Sequence, residues 1–249
     1  TFERHTMTDR NATTWWVHGS APDGVVYFGA ALGVADVSIT TNAGVLAWLG
    51  HYLRDIGPTY YWLQDPAAID LFGRYAGVAE SLGSQILTDQ SSRPIPGVRS
   101  IRRIHLTDAI DDPPVYHPSP RKGWQHLTLS GLLCLQFVAH DLNDGDAVIL
   151  TGMSGYKSTA SGSEIDTFDG RMGKAKGQAH NEHRIGPFVR SVLDYFPRVR
   201  FVFCGKPHLV FGPAEAAKAR HPNLTIIRSG GDVFVGEAIE AAINRKGVA

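Results

Sequence analysis

With 249 residues, the chain is long enough to bury a substantial core, and its 24 Lys and Arg residues balance its 24 Asp and Glu residues to a formal net charge of zero. Because no field of one sign covers the protein, a general binder of nucleic acid or of anionic membranes is disfavoured. The two cysteines, Cys134 and Cys204, fall in apolar runs and are expected to be buried thiols of a reducing compartment rather than a disulfide or metal ligands.

The sequence shows no pattern typical of a membrane protein or a secreted protein. No apolar run approaches the roughly 20 residues that cross a bilayer. Residues 1–5 lack the apolar core of a signal peptide. We therefore expect a cytoplasmic protein with no membrane span.

Short apolar runs alternate with helical patterns along most of the chain, which is typical of a parallel sheet covered by helices on both faces. The order predicts an α/β fold with a doubly wound, mainly parallel sheet, in a single domain of residues 1–249. The predicted strands are 15–18, 36–41, 59–63, 85–87, 101–106, 146–151, 200–204 and 224–227, and the predicted helices are 43–55, 66–82, 130–142, 183–196, 214–220 and 234–245.

Four candidate site residues follow the first three predicted strands. Ligands of open α/β sheets bind beyond the carboxyl ends of the strands. Gly19 and Ser20 follow the first strand, Asn42 follows the second and Asp65 follows the third. The alternatives are an ordinary turn at Gly19 and helix caps at Asn42 and Asp65.

The stretch from the predicted helix at Ser130-Gly131 to His180 is the most informative part of the sequence. The strand 146–151 stops abruptly at Gly152, and Ser154 follows it. Residues 157–179 are polar and rich in glycine. They are predicted to form a long mobile lid loop that orders over bound substrates and excludes water.

Common nucleotide and metal motifs do not fit this stretch. In a phosphate-binding P-loop, four residues separate the first Gly from the Gly-Lys pair. Lys157 follows Gly152 one residue too soon for this motif. The glycine spacing of a Rossmann dinucleotide fingerprint is absent as well. His180 and His183 lack the partners of a zinc site, so no metal is expected.

The same residues resemble a known family. Ser130-Gly131 opening an apolar helix, Tyr156 four residues after Gly152, Phe168-Asp169 in the loop, and His180 ahead of a helix and a strand resemble the bacterial lipooligosaccharide sialyltransferases. The layout is also similar to the 6-hydroxymethylpterin diphosphokinase-like family, to which residues 57–66 are closer. The resemblance covers roughly residues 15–228 and implies a Rossmann-like fold of the sialyltransferase type, a GT-A variant.

The resemblance assigns roles to individual residues. His180 would be the general base that takes the proton of the acceptor hydroxyl, and Tyr156 would hydrogen-bond the leaving phosphate. Alternatively, His180 is a helix-capping or solvated histidine and Tyr156 a packing residue. The expected donor-binding residues are Gly19, Ser20, Asn42, Asp65, Ser130, Gly131, Gly152 and Ser154.

The function that follows is a metal-independent glycosyltransferase that moves a sugar from a nucleotide-sugar donor to an acceptor hydroxyl. The acceptor could be a glycan, a small molecule or a modified nucleic acid. The sequence leaves open whether the protein forms a homo-oligomer, and no cofactor is expected. One alternative is a pterin-type diphosphokinase that uses ATP and Mg²⁺, with carboxylates such as Asp65 holding the metal. The other is a catalytically silent nucleotide-binding protein, motivated by Met153-Ser154.

Overall fold

A computed structural model of the chain describes residues 12–19, 22–51, 55–64, 66–89, 93–105, 130–153, 157–159, 162–165, 173–175, 186–205, 214–228 and 234–244. Within these ranges, no helix is long and apolar enough to span a membrane.

The described residues form strands and helices in alternation. The strands are β1 (Thr14–His18), β2 (Val37–Thr41), β3 (Tyr60–Leu63), β4 (Gln85–Thr88), β5 (Ile101–Arg103), β6 (Ala147–Thr151), β7 (Lys157–Thr159), β8 (Gly162–Ile165), β9 (Gly173–Ala175), β10 (Arg200–Cys204) and β11 (Leu224–Ile227). The helices are α1 (Phe28–Val34), α2 (Val45–His51), α3 (Pro66–Ser81), α4 (Ser130–Asp141), α5 (Gly186–Tyr195), α6 (Ala214–Arg220) and α7 (Val235–Asn244), with 3₁₀ turns at Pro22–Tyr27 and Asn42–Gly44.

Eight strands form one sheet in the order β11-β10-β6-β1-β2-β3-β4-β5. Every neighbouring pair in it is parallel. The chain moves outward from β1 to β5, returns to the other side of β1 as β6, and continues outward through β10 to β11. The strand order therefore reverses between β1 and β6, and this reversal is the topological switch point of a doubly wound sheet.

Apolar side chains fill both faces of the sheet because successive residues of a strand point in opposite directions. Trp15 and Val17 of β1 lie in the core beneath α4 and α5. Trp16, between them, lies in the core formed with α1, α2 and α7, and α3 covers the neighbouring part of that second face. The predicted α/β fold with a doubly wound parallel sheet is confirmed.

Several predicted elements differ from those observed. The 3₁₀ turn Pro22–Tyr27 and α1 were not predicted, and the predicted helix 43–55 opens as the 3₁₀ turn Asn42–Gly44, which α2 follows. The predicted strand 101–106 ends at Arg103. Within residues 157–179, the predicted lid loop, three short described segments pair as the antiparallel sheet β7-β8-β9, which was not predicted.

Candidate functional site

The carboxyl ends of β1 and β6 meet at the switch point. Gly19 follows β1, and Gly152 follows β6. The backbone N–H of Gly19 donates to the carbonyl of Thr151 over 2.8 Å, which joins the two strand ends directly. The two glycines predicted from sequence therefore lie where ligands of open α/β sheets bind.

Glycine is required at this position because backbone segments approach one another closely. A Cβ at Gly19 would lie 2.9 Å from the carbonyl carbon of Gly152, and closer still to its oxygen. A Cβ at Gly24 would lie 2.7 Å from the nitrogen of Gly152, and one at Gly44 would lie 2.8 Å from the oxygen of Gly19. Real Cβ atoms do not tolerate backbone at these distances. We call Gly19, Gly24, Gly44 and Gly152, together with Gly131, the glycine cluster.

Gly131 brings the first turn of α4 to the same place. A Cβ at Gly131 would lie 2.5 Å from Sδ of Met153 and 3.9 Å from Cα of Gly19. Helix α4 begins one residue earlier, at the half-buried Ser130. The first turn of a helix presents backbone N–H groups without an intrahelical partner, and such groups favour an anionic ligand.

Asn42 enters the site through the 3₁₀ turn Asn42–Gly44, whose Gly44 contacts Gly19. Asn42 has a φ of 37°, which for a residue other than glycine is uncommon and strained. Its side-chain Oδ1 accepts a hydrogen bond from the backbone N–H of Gln64 over 3.0 Å. Its carbonyl accepts one from the hydroxyl of Tyr61 over 3.1 Å. The side chain of Asn42 thus ties the end of β2 to the end of β3.

His18, the last residue of β1, was not predicted as a site residue. Its side chain is fully buried, and Nδ1 lies 3.1 Å from Oγ1 of Thr40. The Thr40 hydroxyl donates to the carbonyl of His18 over 3.4 Å, so Nδ1 is placed to donate to that hydroxyl. Burial lowers the pKa of His18 from its ordinary 6.5 to about 3, which keeps the imidazole neutral.

A buried side-chain hydrogen bond also joins β1 to β6. The indole Nε1 of Trp16 donates to Oγ1 of Thr151 over 2.9 Å. The rings of Trp16 and His18 pack with their centroids 5.4 Å apart, and the ring of Phe28 contacts both. Side-chain hydrogen bonds therefore fix the ends of β6, β1 and β2 relative to one another beneath the glycine cluster. The sequence signal for this was a polar residue at or next to the last position of each strand, namely Thr151 of β6, His18 of β1 and Thr40 of β2.

Half of the residues predicted from sequence can be placed. Gly19, Gly131 and Gly152 lie together, Ser130 adjoins Gly131 in α4, and Asn42 is attached through its turn. The others lie outside the described residues: Ser20, Asp65, Ser154, Tyr156 and His180.

The two cysteines are buried, as predicted. Burial raises the pKa of Cys204 to about 12 and raises the pKa of Cys134 as well. Among the residues that the structure describes, no group of three or more His, Cys, Asp or Glu side chains is arranged to hold a metal ion.

Comparison with known proteins identifies no relative. No family model matches the chain, and no curated protein or solved structure is significantly similar to it. The resemblance to the sialyltransferases therefore stays a prediction made from the motifs quoted above.

Proposed function

We propose that the protein is a glycosyltransferase that binds a nucleotide-sugar donor at the switch point and transfers the sugar to an acceptor hydroxyl without a metal. The observation that carries the proposal is the meeting of Gly19, Gly131 and Gly152, which are far apart in sequence, at the carboxyl ends of β1 and β6. The sequence alone predicts all three as donor-binding residues.

The geometry supports a phosphorylated ligand in particular. The first N–H groups of α4 attract negative charge, and Gly131 adds no side chain beside them. The neutral His18 beneath the cluster adds no charge of its own. The described residues would therefore bind a donor phosphate through backbone dipoles.

The transfer itself rests on the two residues assigned by resemblance. His180 would take the proton of the acceptor hydroxyl while the acceptor oxygen forms a bond to the anomeric carbon. The bond from that carbon to the phosphate oxygen breaks, and its electron pair leaves with the nucleotide. The hydroxyl of Tyr156 would donate a hydrogen bond to the leaving phosphate.

The binding half of the proposal can be tested by thermal shift. CMP, UDP, GDP, ADP and their sugar conjugates would be screened with and without Mg²⁺. We expect one nucleotide series to raise Tm equally with Mg²⁺ and with EDTA. Gly131→Ala should abolish the shift, because the new methyl group changes the ligand surface but meets only the flexible end of Met153 closely, with Cα of Gly19 at an ordinary contact distance of 3.9 Å. The matched control is Gly33→Ala, whose methyl group would meet no atom within 4 Å.

The catalytic half is tested by transfer from the donor that binds. His180→Ala should retain the thermal shift and lose about 10²- to 10⁴-fold in transfer rate, the usual contribution of a general base. A shift seen only with ATP or ADP plus Mg²⁺ would replace the proposal with the diphosphokinase. Binding of a nucleotide sugar without any turnover, tested against glycan, small-molecule and tRNA acceptors, would favour the silent nucleotide-binding protein.

A further inference from the structure

A groove of about 490 Å³ lies beside β11, which is an edge strand of the eight-stranded sheet formed by the described residues. Lys218 of α6 lines one side of it, and Ala238 and Ala241 of α7 line the other. Arg228 lines the end that follows β11. Because the residues that α7 turns to the groove are alanines, the helix leaves open space beside the strand edge.

Within the described part of the chain, the backbone of β11 has unpaired hydrogen-bonding groups that face this groove. The carbonyl of Asn223 accepts from the N–H of Phe201 in β10, and that of Ile227 accepts from the N–H of Gly205 just after β10. Residues 223, 225 and 227 therefore turn their backbone groups toward β10. Ile226, one residue out of phase, turns its N–H and its C=O away from β10. Neither group has a partner among the described residues. Both lie on a strand edge to which a further strand could add.

The charge of the groove is of one sign. Lys218 and Arg228 are both exposed, and none of the described residues that line the groove with them is acidic. Neither cation forms an ion pair within the described part of the chain. In a chain whose net charge is zero, this is a local positive feature.

We propose that this groove binds an extended, acidic segment of a partner protein, which adds to the sheet as a strand beside β11. The Ile226 N–H and C=O would supply the main-chain hydrogen bonds, and Lys218 and Arg228 would pair with carboxylates of the segment. Main-chain pairing gives affinity and the cations select the acidic sequence. This binding is independent of the glycine cluster and of the proposed transferase activity.

The test is selection from a phage-displayed library of random peptides on the full chain, followed by anisotropy titration of the selected peptides. We expect the selected peptides to be acidic and strand-forming. Ala241→Trp, which fills the groove from an exposed position, should weaken them at least tenfold. Glu237→Trp, an equally bulky change at an exposed position of α7 outside the groove, should not.

Two further variants separate the backbone from the charge contribution. Ile226→Pro removes the outward N–H and leaves the hydrogen bonds to β10 intact, whereas Ile226→Val retains the N–H as a control. The double change Lys218→Glu and Arg228→Glu should reverse the preference toward basic peptides. The proposal is overturned if no peptide is enriched, or if the enriched peptides bind the Ala241→Trp variant normally. It is also overturned if the edge proves to pair with a second copy, seen as a concentration-dependent dimer that Ile226→Pro dissociates.

Discussion

Replacing Gly19 by alanine tests the closest approach in the site. The new methyl group would lie 2.9 Å from the carbonyl carbon of Gly152 and nearer to its oxygen. The obstacle is backbone, which cannot rotate away as a side chain can. Gly152 itself has a φ of 63°, a conformation that few other residues adopt, so its freedom to shift is limited. Gly19→Ala is therefore expected to strain both strand ends.

The magnitude follows from the packing. Forcing an extra methyl group into a filled interior costs about 1–3 kcal/mol of unfolding free energy. For a protein of this size that lowers Tm by about 2–12 °C. Gly33→Ala is the matched control, since its methyl group would meet no atom within 4 Å and the position is exposed in α1. Replacing a helical glycine by alanine should stabilise by about 0.5–1 kcal/mol.

Urea unfolding followed by tryptophan fluorescence measures both variants. Trp16, Trp48 and Trp62 are completely buried, so unfolding will change their emission strongly. The reasoning is refuted if Gly19→Ala is as stable as the parent chain, or if Gly33→Ala loses as much stability as Gly19→Ala. A Gly19→Ala protein that is destabilised yet retains the nucleotide-induced shift would show that the close approach serves the fold and not the ligand.

Three other predictions concern buried groups. The folded protein favours the neutral form of His18, so the stability that this preference contributes is present above pH 6.5 and is lost as the pH falls toward about 3. Between pH 7.5 and pH 5 the parent chain should therefore lose about 2 kcal/mol more unfolding free energy than His18→Asn. Urea unfolding at each pH measures the difference. Asn42→Ala should cost about 2–3 kcal/mol in the same assay, because alanine is strained at that φ and the Gln64 N–H loses its acceptor. Cys134 and Cys204 should not react with Ellman's reagent in the native protein within minutes and should both react in urea, and a rapid native reaction would contradict their burial.

The fold class could be predicted because buried parallel strands carry a direct signal in sequence. The run Ala147–Thr151 is apolar throughout its interior and buried at every position, as a strand covered on both faces must be. The seven-residue helix α1 gave no comparable signal, because it contains Gly29 and Gly33 and has little intrinsic helix preference. It is held by packing, with Phe28 and Ala31 buried against the core shared with α7. A local sequence pattern does not indicate packing between segments that are distant in the chain.

The small sheet β7-β8-β9 escaped prediction for a different reason. Its strands have three or four residues each and are built largely from Gly, Ser, Thr and Lys, with no alternation of apolar and polar side chains. Such a composition is typical of a loop. Antiparallel pairing between segments close in sequence requires only backbone hydrogen bonds, so it can form where the side chains give no indication of it.

Site residues could be predicted only where a single position suffices to mark them. Gly19 and Gly152 are recognisable because each directly follows a predicted strand, but nothing in the sequence says that they touch. His18 and Thr40 are 22 residues apart in sequence. They are in contact only because the register of β1 and β2 places them opposite each other. On the other side of β1, the register with β6 places His18 opposite Thr151. A slip of one residue would turn every side chain of β1 to the opposite face and would break both the His18–Thr40 contact and the bond from Trp16 to Thr151. The buried polar pairs therefore fix the strand register that brings the glycines together, so the residues that position the site are ones that become visible only once the pairing of the strands is known.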